Sequence, residues 1–185
     1  MAATDPQCGY AAVGELRMYY EIHGSGSPLV LLHGAYMTID MMGPLLAGLA
    51  ETRQVIAVEQ QGHGRTADID RPITYEQMAD DTAALMRHLS VGAADVVGYS
   101  MGGAIALQLA IRHADLVRRL VVASAAFRSD GMHAIALEMF PSITPESPAK
   151  PGRFCHWFAA RVSKRPRALY CCGCGHKPVH FTMKS

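Results

Sequence analysis

The sequence predicts an α/β chain, a mostly parallel sheet with helices on both faces. Three observations carry that prediction. Apolar runs of strand length recur at 29–32 (LVLL), 54–58 (QVIAV), 94–97 (ADVV) and 120–123 (LVVA). Longer helix-like stretches at 41–52, 75–89 and 101–113 separate them. Turn residues punctuate the joints. Continuous apolar runs are what strands covered on both faces look like, and strand–helix alternation builds parallel sheets.

In chain order, residues 15–22 (ELRMYYEI) read as a half-exposed strand, followed by a Gly-Ser-Gly-Ser-Pro turn at 24–28. The run at 29–32 is the first buried strand. The stretch 41–52 is helical, and 54–58 is the second buried strand. Thr74 is placed to cap a helix over 75–89, with Glu76 and Gln77 at its positive end. Strand 94–97 follows. The helix over 101–113 is small on one face, through Gly102, Gly103, Ala106 and Ala110. The fourth buried strand is 120–123.

The chain has 185 residues, 50% of them hydrophobic, which suits one domain with a sizeable core. A net charge of +1 predicts no nucleic-acid or membrane partner. The N-terminus has no cationic start leading into an apolar stretch, so no secretory signal is read. No apolar run approaches the roughly 18 residues a membrane helix needs. A cytoplasmic protein is expected, and Cys8, alone in the first part of the chain, argues against a disulfide framework.

Working residues in such sheets lie at the carboxyl ends of the strands, and each of three strand ends carries a motif. After 94–97 comes Gly98-Tyr99-Ser100-Met101-Gly102, which fits G-x-S-x-G. A serine that presents its hydroxyl there must occupy a sharp, strained strand-to-helix turn, and residues two before and two after then have no room for a Cβ. Ser100 is therefore the candidate nucleophile; the bland alternative is a glycine-rich turn with an incidental serine. After 29–32 comes His33-Gly34-Ala35-Tyr36. The main-chain amides of Ala35 and Met101 are candidates for a two-donor oxyanion hole, and His33 is read as a loop histidine bonded to backbone. After 54–58 comes Glu59-Gln60-Gln61-Gly62-His63-Gly64-Arg65-Thr66. His63 lies upstream of the serine and is read as shaping the pocket rather than as the general base.

LVLLHGAY, EQQGHGRT and GYSMGGAIALQLA, in that order, resemble the α/β-hydrolase fold superfamily. They are most similar to its cofactor-free serine members, the esterase, perhydrolase and peptidase-like group. The resemblance covers about residues 8–146. It implies Ser100 as nucleophile, Met101 and Ala35 as oxyanion amides, and His33, Gly34, Tyr36, His63 and Tyr99 as pocket residues. It also implies no cofactor and a small-molecule acyl substrate, an ester, thioester or amide cleaved through a serine acyl-enzyme. Relatives that open haloalkanes or epoxides carry an aspartate in place of the serine, so Ser100 points to acyl transfer.

The pattern then breaks. In this fold the triad runs serine, acid, histidine along the chain, and the acid and histidine follow later strands. Beyond Phe127, where a lid would begin near residue 128, one helix-like stretch at about 130–140 precedes the proline-spaced 141–146. Residues 1–146 carry 9 Arg, no Lys and all 16 acids, a net of −7, whereas 147–185 carry 4 Arg, 4 Lys and no acid, a net of +8. The expectation is an α/β-hydrolase-like sheet over 1–146, truncated before its final strands, followed by a basic, cysteine-rich tail foreign to the fold. Asp130 is the local candidate for the acid. The base is unassigned: His156, His176 and His180 satisfy chain order alone. Cys172-x-Cys174-x-His176 with His180 does not match zinc-site spacing, and no metal is assigned. The basic run 161–167 is read as solvated. The competing reading is a catalytically inactive remnant or interaction module.

Overall fold

Residues 5–125 are described by the computed structural model and lie within one compact unit of the chain, Met1–Ala125. A β-hairpin opens the fold. Strands β1 (Gln7–Val13) and β2 (Leu16–His23) pair antiparallel through a tight turn at Gly14, whose φ of 58° suits a residue without a Cβ. β1 is absent from the sequence reading. Its Gly9 leaves room for the Tyr20 hydroxyl, which would lie 2.9 Å from a Cβ there. β2 is also more deeply covered than its half-exposed pattern suggested: Leu16, Met18, Tyr19 and Glu21 are buried, because β2 is an interior strand.

The remaining elements are β3 (Ser27–Leu32), α1 (Gly43–Ala50), β4 (Arg53–Val58), α2 (Tyr75–His88), β5 (Ala94–Tyr99), α3 (Met101–Arg112) and β6 (Val117–Ala123). Among the described residues the sheet has six strands in the order β1-β2-β4-β3-β5-β6. β2 meets β4 antiparallel, and β4, β3, β5 and β6 run parallel.

Each face of the sheet has its own core. On β3 and β4, Val30, Leu32, Ile56 and Val58 pack with Met78, Leu85 and Met86 of α2 and Ile105 and Leu109 of α3. Leu29, Leu31, Val55 and Ala57 point the other way, toward Ile39, Met42 and Leu46. Successive side chains of a strand alternate between faces, so a strand covered twice is apolar throughout. Each fully buried Leu, Ile or Val contributes about 1.5–3 kcal/mol.

Helix ends follow their local chemistry. The Thr74 hydroxyl accepts the Gln77 N–H at 3.1 Å, capping α2. Beyond its other end Ser90 turns left-handed, φ 54°, as Val91 N–H reaches the Met86 carbonyl and Ser90 N–H the Arg87 carbonyl.

The topology fixes where a site forms. From β3 the chain crosses to β4 on one side, and from β4 it passes over β3 to β5 on the other. Such a reversal opens a crevice at the carboxyl ends of the two central strands. Leu32 pairs with Val58 and with Gly98, and Tyr99 with Ala123. Residues 33, 59, 100 and 124 therefore emerge along one edge.

Candidate active site

Ser100 occupies the joint between β5 and α3 with φ 53° and ψ −117°, backbone angles that L-residues adopt only under constraint, at about 1–3 kcal/mol. Its N–H donates to the Ala123 carbonyl at 2.8 Å, and its own carbonyl accepts the Gly103 N–H at 2.9 Å. The flanking glycines have a steric cause. A Cβ on Gly98 would lie 2.2 Å from the Gly102 carbonyl oxygen, and a Cβ on Gly102 would lie 2.3 Å from that of Leu32. β5, α3 and β3 meet at backbone contact, and only glycine fits between them.

The His33-Gly34-Ala35-Tyr36 segment leaves β3 alongside. Met37 N–H donates to the Gly34 carbonyl at 3.2 Å, closing a turn in which Tyr36 takes φ 61°. A Cβ on Gly34 would lie 3.3 Å from the Ser100 Cβ, 3.2 Å from Tyr99 Cδ1 and 3.0 Å from Met37 Sδ. Gly34 thus backs directly onto Ser100. Met101, Ala35 and Tyr36 are chain neighbours of this contact and half-buried, while Tyr99 is exposed.

His33 is buried, with both ring nitrogens occupied: Nδ1–H donates to the Gly34 carbonyl at 2.8 Å, and Nε2 accepts the Gln60 N–H at 3.2 Å. Burial, reinforced by nearby His63, depresses its pKa to about 3. It is a neutral structural ring at physiological pH. His63 packs beside it with the rings tilted, centroids 5.0 Å apart, and its Nδ1–H donates to the Gln61 carbonyl at 3.0 Å. These ring hydrogen bonds of His33 and His63 run to backbone groups and not to Ser100. Asp130, the lid, the tail cysteines, the basic run and the histidines beyond residue 125 lie outside the described residues.

Sequence reasoning missed an ionic cluster beneath the loop after β4. Glu59 is fully buried, and its carboxylate accepts the Ile39 N–H at 3.3 Å and the Arg65 N–H. The Arg65 guanidinium lies 3.2 Å from Glu59, 2.6 Å from Glu21 and 3.1 Å from Asp40, and 4.3 Å above the Tyr19 ring. Burial, opposed by Arg65, raises the Glu59 pKa to about 7. Gly64 was the available signal, since a Cβ there would meet the Glu59 carboxyl at 2.3 Å. Among the described residues no group of three or more His, Cys, Asp and Glu is placed to hold a metal ion, and no helix is long and apolar enough to cross a membrane.

A strained serine at the carboxyl edge of a doubly covered sheet, with glycine loops converging on it, defines a class of α/β proteins with a strand–serine–helix elbow. The chain belongs to the α/β-hydrolase fold family, whose model matches residues 27–163. Most of the relatives it matches carry hydrolase names, and two are acetyltransferase components of an acetoin-cleaving system. It is 36% identical over 112 residues to a 2-(acetamidomethylene)succinate hydrolase of Mesorhizobium japonicum, covering 59% of this chain and 39% of that protein. It is 36% identical over 115 residues to a soluble epoxide hydrolase of a Corynebacterium species, covering 60% and 39%. The enol-lactonase of Burkholderia xenovorans superimposes with a TM-score of 0.63 at 30% identity, covering 72% of this chain and 58% of that one. The chain spans well under two thirds of the length of these relatives.

Proposed function

We propose that the chain carries the nucleophile and oxyanion half of a serine hydrolase acting on small esters, thioesters or amides. The observation that carries this reading is Ser100 at φ 53°, wedged between Gly98, Gly102 and Gly34. Strain of this kind persists where surrounding structure enforces it, and it clusters at functional sites. In the proposed reaction the Ser100 oxygen attacks the carbonyl carbon, and the amides of Ala35 and Met101 receive the developing oxyanion. The bond to the leaving group breaks, the leaving group departs with the proton given up by the serine hydroxyl, and water hydrolyses the resulting acyl-enzyme, releasing the acid and restoring the Ser100 O–H. Met101 opens α3, whose N-terminal amides and dipole favour negative charge. Serine at this position separates the reading from epoxide opening, which one relative's name describes. Asp130 is kept as the candidate acid, and the base is assigned to no residue.

The test is fluorophosphonate labelling and p-nitrophenyl acetate hydrolysis by the chain, beside Ser100→Ala. Labelling and turnover are expected to fall by at least about 10³-fold in the variant. Equal labelling of both proteins, or none in folded wild type, overturns the reading.

A further inference from the structure

The segment from His33 to Ile39 contains the Ala35 amide, and both its ends are tied to the end of β4. At its start His33 Nε2 accepts the Gln60 N–H at 3.2 Å, and at its finish the Ile39 N–H donates to Glu59 at 3.3 Å. The same carboxylate accepts the Arg65 N–H, so one buried group joins the loop after β3 to the loop after β4. Between those two ties lies the left-handed Tyr36, in a turn closed by the Met37 N–H donating to the Gly34 carbonyl.

We propose that Glu59 is the positioning residue of this loop, its carboxylate fixing the Ile39 end so that Gly34 and Ala35 stay seated against Ser100. The inference rests on the proposed serine chemistry for its catalytic meaning, and on the hydrogen bonds alone for its structural content. The two ties respond differently to acid. His33, depressed to about 3, stays a neutral acceptor across the working range. Glu59, raised to about 7, changes charge within it. The groups facing it are Arg65 from its own loop, Asp40 from the loop after β3, and Tyr19 and Glu21 of β2 through Arg65; His33 holds the adjacent Gln60 amide. As an anion Glu59 accepts two amides and pairs with Arg65. As a neutral acid it loses the ion pair and is the weaker acceptor.

The experiment follows the backbone amide resonances of Ile39, Arg65 and Ala35 against pH in the full 185-residue chain, in wild type and Glu59→Gln. In wild type the Ile39 and Arg65 amides are expected to titrate together near pH 7, with Ala35 following. In the variant that transition is expected to vanish, and fluorophosphonate labelling of Ser100 to slow by about 10²-fold, as for a small misplacement of a catalytic group. A base histidine would leave its own pH limb in both proteins, so only the limb lost in Glu59→Gln belongs to Glu59. An Ile39 amide resonance that is the same in wild type and Glu59→Gln overturns the proposal. So does a variant that labels at the wild-type rate. If wild type does not label at all, the serine chemistry falls, and the amide titration alone decides the clamp.

Discussion

The two ends of the same parallel strands are built on opposite principles. At the amino ends Asp95 of β5 is gripped by Arg118 at 2.8 Å and by Arg53, whose Nε also donates to the Ser27 carbonyl. Those hydrogen bonds hold the Asp95 pKa down at about 2, so its charge is favoured by the fold. At the carboxyl ends Glu59 is pushed up to about 7 and His33 down to about 3, so charge on either is disfavoured. Ser100, Tyr36 and Ser124 there are left-handed, and Gln60 Oε1 is, among the described residues, buried with no hydrogen-bond partner. One end favours the charges it holds. The other holds strain and misfit where the chemistry is proposed, the trade expected of a working site.

The largest test of this contrast is steric. Gly102→Ala places a Cβ against the Leu32 backbone, which cannot yield as a flexible side chain would. We expect a loss of more than about 4 kcal/mol, or no folded protein, in urea unfolding followed by circular dichroism. Next come the opposed pH signatures. Glu59 has its folded pKa raised from 4.5 to about 7, so wild type loses stability as pH rises through that window. Glu59→Gln lacks the effect. Between pH 4.5 and 8 its stability relative to wild type should therefore improve by up to about 3 kcal/mol, read from urea midpoints. Asp95 has the reverse sign. Its folded pKa lies below the unfolded 3.8, so its contribution is present above 3.8 and is lost as pH falls through about 2. Asp95→Asn should cost about 1–2 kcal/mol at pH 7 and little near pH 2. If both variants show the same pH sign, the contrast between the two ends is wrong.

How much was readable in advance depends on whether the cause is local. The elbow was legible because its steric demand is written within five residues, Gly98 to Gly102. Strands β3, β4 and β5 were legible because burial on both faces removes polar alternation. β1 was not: Cys8, Gly9, Ala11 and Ala12 carry little strand signal, and pairing with β2 defines the strand. The Glu21, Asp40, Glu59 and Arg65 cluster was equally hidden. Its members are up to 44 residues apart in sequence, and charged side chains read as solvated until topology buries them. His33 was anticipated as a backbone-bonded loop residue, whereas its partner Gln60 could be named only once β3 and β4 were paired.

The bonds that tie the loop after β3 to the loop after β4 join distant parts of the chain: 27 residues separate His33 from Gln60, and 20 separate Ile39 from Glu59. No excised hairpin or helix contains a working fragment of them. A β3–β4 misalignment by two residues would keep hydrophobic faces matched while scattering every one of these contacts. Covalent reactivity at residue 100 would then serve as a gauge of correct strand alignment, separating a properly assembled chain from a compact impostor of similar helix content.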